Sequence, residues 1–318
     1  MRAARLYGNS LLLCAARLTP RPFCAGSLIP CEPTSGGGSL LPRTLVAITG
    51  ASSGIGAAFA RKLAPEHDLL LIARRKDRLQ QLAIELSSAF PSRIEVMQAD
   101  LTAEPDLAAV AERIRFEDRL ALLVNNAGFG TVGRFWEAPL DTQEAMHKLH
   151  VMATVRLTHA ALRNLVPRDF GAIINVSSVS AFVHNAGSVG YSATKSWMTA
   201  FTEGLYLELR SLPSQVTVQA LCPGFTYSEF HSTLGVERNQ LAGAGFWMTA
   251  EQVVDASLDG LRKGKLFVIP GWRYRLLTTF LTKIPTALRL AAELAFSRAR
   301  AVRTQLPSEH SKQLHSGE

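Results

Sequence analysis

At 318 residues and 47% hydrophobic content, the chain has ample material for a folded core. Of its four cysteines, Cys14, Cys24, Cys31 and Cys222, only the last falls in regularly patterned sequence, so no disulfide framework follows from them. The net charge of +8 is concentrated near one end: ten basic residues and one acid, Glu293, lie between Arg262 and Arg303, with no nucleic-acid recognition motif around them.

Residues 1–43 carry several arginines, no acid before Glu32 and a Gly36-Gly37-Gly38 run, without strand or helix periodicity. That composition fits a transit-type leader, a disordered tail, or upstream sequence read from a misassigned start codon. The apolar stretch Leu11 to Ala16 is too short for a secretory signal, and the segment is expected to be dispensable for catalysis. From residue 44 onward strands and helices alternate without a break, which favours one α/β domain.

Leu45 to Thr49 reads as a buried strand, followed by Gly50-Ala51-Ser52-Ser53-Gly54-Ile55-Gly56 and a helical pattern from Ala57 to Leu63. Strand, glycine turn and helix is the arrangement in which free amides at a helix N-terminus receive a phosphate, although a purely structural turn has the same composition. The glycines follow G-x-x-x-G-x-G, an approximate match to the usual dinucleotide fingerprint. The second strand, Leu69 to Ile72, runs into Ala73-Arg74-Arg75. An NAD site has an acid there and a 2′-phosphate needs cations, so the arginines favour NADP(H) over a solvated charge pair. Ile94 to Gln98 alternates as a third strand ending at Asp100-Leu101, a pair suited to bracket an adenine or simply to start a turn. Leu120 to Val124 is a fourth, followed by Asn125-Asn126-Ala127-Gly128, a turn able to pack near a cofactor.

Ile173 to Val176 reads as another buried strand, ending in Ser177-Ser178. Thirteen residues beyond Ser178 comes Tyr191-Ser192-Ala193-Thr194-Lys195, whose tyrosine and lysine share one helix face. A nearby ammonium favours phenolate and is expected to move the tyrosine from about 10 toward working pH. Val216 to Leu221, ending in Cys222-Pro223-Gly224, brings a further strand end to the same crevice.

These segments together resemble the short-chain dehydrogenase/reductase family over about residues 44 to 271, through the ordered motifs TGASSGIG, DL, NNAG, Ser178/Tyr191/Lys195 and PG. The resemblance implies a Rossmann-type doubly wound seven-stranded parallel sheet with helices on both faces, holding a nicotinamide dinucleotide. It makes Tyr191 the catalytic acid/base, Ser178 the hydroxyl that orients the carbonyl, and Lys195 the residue that lowers the tyrosine pKa and binds the nicotinamide ribose. The implied cofactor contacts are Gly50, Ser52, Ser53, Gly54, Ile55, Gly56, Arg74, Arg75, Asp100, Leu101, Asn126, Ala127, Gly128, Tyr191, Lys195, Pro223, Gly224 and Thr226, with Ser228 as the alternative to Thr226. It also implies a homodimer or homotetramer through the long helices bearing His150 and Tyr191. The ARR, LTHA and PGF stretches are most similar to bacterial members that reduce unidentified carbonyl substrates.

One position departs from the family pattern: His150 stands where an asparagine usually holds a relay water. An imidazole that titrates near neutrality would replace that role or shorten the relay, and makes His150 a fourth catalytic candidate. The rival reading is an NADP(H)-binding protein with little turnover. His159, in an apolar helical stretch, reads as a core or interface residue, and His184 and His231 lack partners at metal-ligand spacing.

Phe225, Tyr227, Phe230, Phe246 and Trp247 fall in a segment expected to close over a small apolar carbonyl or alcohol substrate, or to pack as a lid core. Residues 272–318 read as a basic amphipathic helix and tail, with Leu277, Phe280, Leu281, Ile284, Leu288 and Ala291 at helical spacing. Its face covers the substrate pocket or a partner subunit, or lies on an anionic membrane with Trp272 and Tyr274 at the interface. Lys283 and Pro285 argue against a spanning helix. The expected location is the cytoplasm, with peripheral membrane contact as the variant.

Overall fold

A computed structural model describes residues 43–184, 186–229 and 244–305, the last ten as backbone only. The elements in order are β1 (Leu45–Thr49), α1 (Gly54–Leu63), β2 (Asp68–Ala73), α2 (Lys76–Ala89), β3 (Ile94–Gln98), α3 (Glu104–Arg115), β4 (Leu120–Asn125) and α4 (Leu140–His147). They continue with α5 (Thr154–Arg168), β5 (Ala172–Val176), α6 (Val189–Ser211), β6 (Thr217–Leu221), α7 (Ala250–Arg262), β7 (Phe267–Val268), α8 (Trp272–Lys283) and α9 (Thr286–Gln305).

The seven strands form one sheet in the order β3-β2-β1-β4-β5-β6-β7, every pairing parallel. Unbroken apolar runs make that possible, because a sheet covered on both faces has no solvated side for polar alternation. β1, β2, β4, β5 and β6 are buried at every position, whereas the edge strand β3 is half-buried. One face packs on α1, α2 and α7 through Phe59, Leu63, Leu79 and Leu258; the other packs on α3, α5 and α6 through Val110, Leu157, Leu165 and Leu209. The chain winds outward from β1 to β3, then resumes beside β1 at β4. That reversal opens a crevice at the carboxyl ends of β1 and β4, where doubly wound sheets bind ligands.

A buried polar chain crosses the sheet and ties its halves together. Asn125 Nδ2 donates to Thr158 Oγ1 (3.0 Å) and to Asn175 Oδ1 (2.9 Å), and Asn175 Nδ2 donates to Thr202 Oγ1 (2.9 Å). It links α5, β4, β5 and α6 beneath the crevice. α4 does not pass directly into α5: Lys148–Ala153 form a π-helical segment between them, which turns His150 fully inward.

The carboxyl-terminal region differs from the single helix the periodicity suggests. Ile284 is extended before Pro285, so the chain breaks into α8 and α9. The side of α8 facing the protein is Tyr274, Thr278 and Leu281, Leu277 borders the crevice, and Phe280 is exposed. The apolar spacing therefore divides between the two sides of the helix, and Tyr274 is buried rather than placed at an interface. His159 is on the exposed side of α5, not in the core. The readings for residues 1–42, Phe230 and His231 lie outside the described residues. Among those described, no helix is long and apolar enough to cross a membrane.

Replacing Asn175 by Ala leaves an Asn125 amide proton buried without its acceptor. The expected loss is roughly 1–3 kcal/mol, read as a lower urea midpoint with an unchanged slope; an unchanged midpoint would show that the chain is dispensable.

Candidate active site

The crevice is a cavity of about 530 Å³ running from the glycine turn to the far side of β6. At one end Gly50 and Gly54 adopt φ of 65° and 55°, left-handed values that favour glycine. A Cβ at Gly56 would come within 2.4 Å of the Gly50 carbonyl oxygen, so the turn closes only with glycine there. The NNAG turn clamps this loop. Asn126 and Ala127 donate their backbone N–H groups to Thr49 Oγ1 (2.9 and 3.0 Å), and Asn126 Nδ2 donates to the Thr49 carbonyl oxygen (2.9 Å). α1 starts with no side-chain cap and no acid in its first turn, so its leading amides face the cavity end without competition from a carboxylate. Those features suit a diphosphate.

Arg75 lies over the same turn, donating from Nη2 to Ser52 Oγ (3.0 Å) and Ser53 Oγ (2.8 Å). Its Nη1 also donates to Glu229 (2.8 Å), as does Arg78. Those two guanidiniums hold the Glu229 carboxyl down to about 2. Arg74 is exposed at the cavity edge. Asp100 both starts a turn, accepting from Thr102 N (2.9 Å) and Oγ1 (2.7 Å), and lines the cavity. Burial opposes its charge, but the Thr102 hydrogen bonds and Arg74 hold its carboxyl below the usual range.

At the other end β5 and α6 meet. Lys195 Nζ donates to the Val176 carbonyl oxygen (2.8 Å), and Ser177 Oγ donates to the Lys195 carbonyl oxygen (2.8 Å). This exchange holds Tyr191 and Ser178 at the cavity wall, with Lys195 Nζ 5.8 Å from the centre of the Tyr191 ring. Burial pushes the phenol up to about 12, opposed by its hydrogen bond with Ser178, and pushes the ammonium down to about 8. The expectation that Lys195 draws the tyrosine toward neutrality is thus reversed in the protein alone. Both groups lose solvation, and that loss dominates both shifts.

His150 is fully buried against this pair. Its Nε2 accepts from the Phe129 backbone N–H (3.2 Å), so the proton sits on Nδ1, which faces Thr194 Oγ1 at 2.9 Å. Thr194 Oγ1 donates its own hydrogen bond to the Tyr191 carbonyl oxygen (2.8 Å). Burial first, and then Lys195, hold the imidazole well below its ordinary 6.5. A histidine titrating near neutrality is therefore not what this position holds; it is neutral, with both nitrogens engaged.

All the catalytic and cofactor-binding nominees line this cavity except Gly56, which shapes the turn behind it. Pro223 and Gly224 form the wall beyond β6, and Thr226, buried, donates to the Gly224 carbonyl oxygen (3.1 Å). The aromatic segment behaves differently from a pocket lining. Phe225 and Tyr227 pack on Trp247 with centroids 5.3 and 5.1 Å apart, and of those side chains only Phe225 reaches the cavity. Sequence reasoning missed Glu229 and Tyr274 as lining residues, whereas Leu277, on the helix face expected over the pocket or a partner subunit, lines it too. The Tyr274 hydroxyl accepts from Phe225 N (2.9 Å) and donates to the Phe246 carbonyl oxygen (2.7 Å), a contact between distant segments that no local pattern signals. Among the described residues no cluster of three His, Cys, Asp or Glu side chains could hold a metal.

A family model described as short chain dehydrogenase matches residues 44–239. A short-chain dehydrogenase from Sphingobium yanoikuyae, solved in complex with NADPH, is 36% identical, with a TM-score of 0.69 over 77% of this chain and 97% of that one. A bulky-bulky ketone specific alcohol dehydrogenase from Comamonas testosteroni is 30% identical, with a TM-score of 0.64 over 86% of this chain and 99% of that one. Among curated proteins, human dehydrogenase/reductase SDR family member 11 is 33% identical over 71% of this chain and 88% of its own length. The chain belongs to the short-chain dehydrogenase/reductase family, whose members are oxidoreductases of alcohol and carbonyl groups built to hold a nicotinamide nucleotide.

The unfolded chain binds a proton at His150 that the folded one refuses. Stability is therefore expected to fall as pH drops below 6.5. His67, buried and held down to about 4, contributes a slope of the same sign. Urea midpoints between about pH 8 and about pH 5 should decline less steeply in His150→Asn than in the parent; equal slopes would mean that His150 is protonated in the native state.

Proposed function

We propose that this protein is an NADP(H)-dependent reductase of apolar carbonyl compounds, with Tyr191 as proton donor, Ser178 orienting the carbonyl oxygen and Lys195 supporting the tyrosine. The observation that carries the reading is the meeting of Ser178, Tyr191 and Lys195 at the wall of a cavity whose opposite end is an uncapped helix N-terminus behind a glycine turn. A bound reduced nicotinamide would supply a hydride to the carbonyl carbon. Tyr191 then gives its proton to the developing alkoxide, and Ser178 donates a hydrogen bond to the same oxygen. A phenol pushed up to about 12 is fully protonated at neutral pH, the state that reduction requires. The phenolate left behind has the Lys195 ammonium beside it.

The diphosphate would rest on the amides from Ser52 to Gly56, with Asp100 and Leu101 at the adenine and Thr226 or Ser228 at the carboxamide. Arg74 and Arg75 would read the 2′-phosphate, with Arg78 as an additional cation. The walls near Phe225, Tyr274 and Leu277 favour an apolar substrate. The low-turnover alternative turns on His150 standing where the relay asparagine is usual; the meeting of Ser178, Tyr191 and Lys195 at one cavity wall supports turnover instead. Exposed Met152 and Leu207, on the π-helical segment and α6, support assembly into a dimer or tetramer through those helices.

The test is NADPH oxidation across a panel of aldehydes, ketones and 3-oxoacyl esters. Tyr191→Phe should lower kcat by about two to four orders of magnitude with NADPH affinity nearly unchanged; equal turnover in that variant would overturn the assignment. For the cofactor, Arg74→Ala with Arg75→Ala should weaken NADPH far more than NADH in fluorescence titrations. Glu229→Gln should do the reverse, because it frees two guanidiniums from an internal carboxylate. If both changes move NADPH and NADH together, the arginines do not read the 2′-phosphate.

A further inference from the structure

α8 is amphipathic the wrong way round for a helix in water. Tyr274, Thr278 and Leu281 face the protein, while Trp272, Leu276 and Phe280, spaced four apart, form a straight outward stripe with exposures of 61%, 62% and 64%. At 100° per residue, Arg275 falls on one flank of that stripe and Lys283 closes its end, while Arg273 on the other flank donates to the Gly245 carbonyl oxygen (2.6 Å) and lies over the Phe246 ring. α9 adds exposed Leu290 and Leu294 one turn apart. Between residues 262 and 295 seven side chains are basic and one is acidic, Glu293. That acid is buried, accepting from the His184 backbone N–H (3.2 Å), so these helices show no anionic side chain outward over that span.

We propose that the outer face of α8 and α9 is a docking surface for an anionic phospholipid bilayer, lying in the headgroup plane. Charge decides between this occupant and a second copy of the chain. A two-fold contact through the stripe would set Arg275 and Lys283 against their own images around an apolar, low-dielectric patch, which is costly. A bilayer reverses that sign: acidic headgroups neutralise the flanking cations while Trp272, Leu276 and Phe280 enter the acyl boundary, with tryptophan at the depth it favours.

The inner side of the same helix closes the cavity, with Tyr274 over Gly224 and Leu277 in the wall. Docking would thus bring the cavity mouth to the lipid surface. On the carbonyl-reductase reading, and only on that reading, it selects lipophilic carbonyl compounds dissolved in the bilayer as substrates.

Sedimentation of the full chain with vesicles separates the two claims, since it needs neither cofactor nor substrate. Vesicles of phosphatidylcholine with phosphatidylserine should retain the protein at least ~10-fold better than phosphatidylcholine alone, and added salt should release it. Trp272→Ser with Leu276→Ser and Phe280→Ser should abolish retention; Arg275→Gln with Lys283→Gln should remove the preference for phosphatidylserine. Far-ultraviolet circular dichroism and urea midpoints, unchanged in both variants, report that they fold. Retention on neither vesicle would overturn the proposal. So would a solution dimer that Phe280→Asp dissociates, which would assign the face to a second copy.

Discussion

The exchange of two hydrogen bonds between the end of β5 and α6 fixes everything that faces the cavity from this side. Lys195 reaches back to the Val176 carbonyl oxygen while Ser177 reaches up to the Lys195 carbonyl oxygen. Each bond satisfies a polar group that a parallel strand ending inside the protein would otherwise leave buried and unpaired. The helix cannot rotate or slide along the sheet without breaking both. Tyr191, one turn before Lys195, is thereby held beside Ser178, the next residue after Ser177. Beneath them the Thr158-Asn125-Asn175-Thr202 chain prevents the two halves of the sheet from shifting relative to each other.

The chemistry around that junction is organised by exclusion of water more than by charge pairing. Tyr191 is pushed up to about 12, Cys222 likewise to about 12, Lys195 down to about 8 and His150 well below its ordinary value, in each case chiefly by burial. An isolated charge on this floor is expensive, so a reaction that creates and removes charge there depends strongly on what fills the cavity. The glycine-turn end is the opposite case, an exposed cluster in which the Arg75 and Arg78 guanidiniums share the one Glu229 carboxylate.

Much of this was legible in the sequence because it is local. Apolar runs of five or six residues ending in small polar turns identify the strands of a covered parallel sheet, and Tyr191 and Lys195 declare their common face by spacing alone. What could not be read is set by contacts between distant segments. His150 has ordinary composition around it; only the π-helical register and the placement of Phe129 and Thr194 make it a neutral, doubly bonded imidazole. The same holds for Tyr191, whose pKa follows from burial rather than from its helical neighbour. In α8 the spacing of apolar residues was visible, but which stripe faces inward depends on Tyr274 finding Gly224, fifty residues back.

That last contact has a consequence for how the sequence can change. A Cβ at position 224 would fall 2.0 Å from the Tyr274 ring, so the aromatic ring occupies the volume that any other residue at 224 would need. The two positions form one steric unit joining the wall beside β6 to the carboxyl-terminal helix. In homologous chains a side chain at the first should accompany a smaller residue, or a displaced helix, at the second. Drift at one of these sites alone would dislodge α8 from the cavity, which ties variation in the terminal helices to variation in the turn after β6.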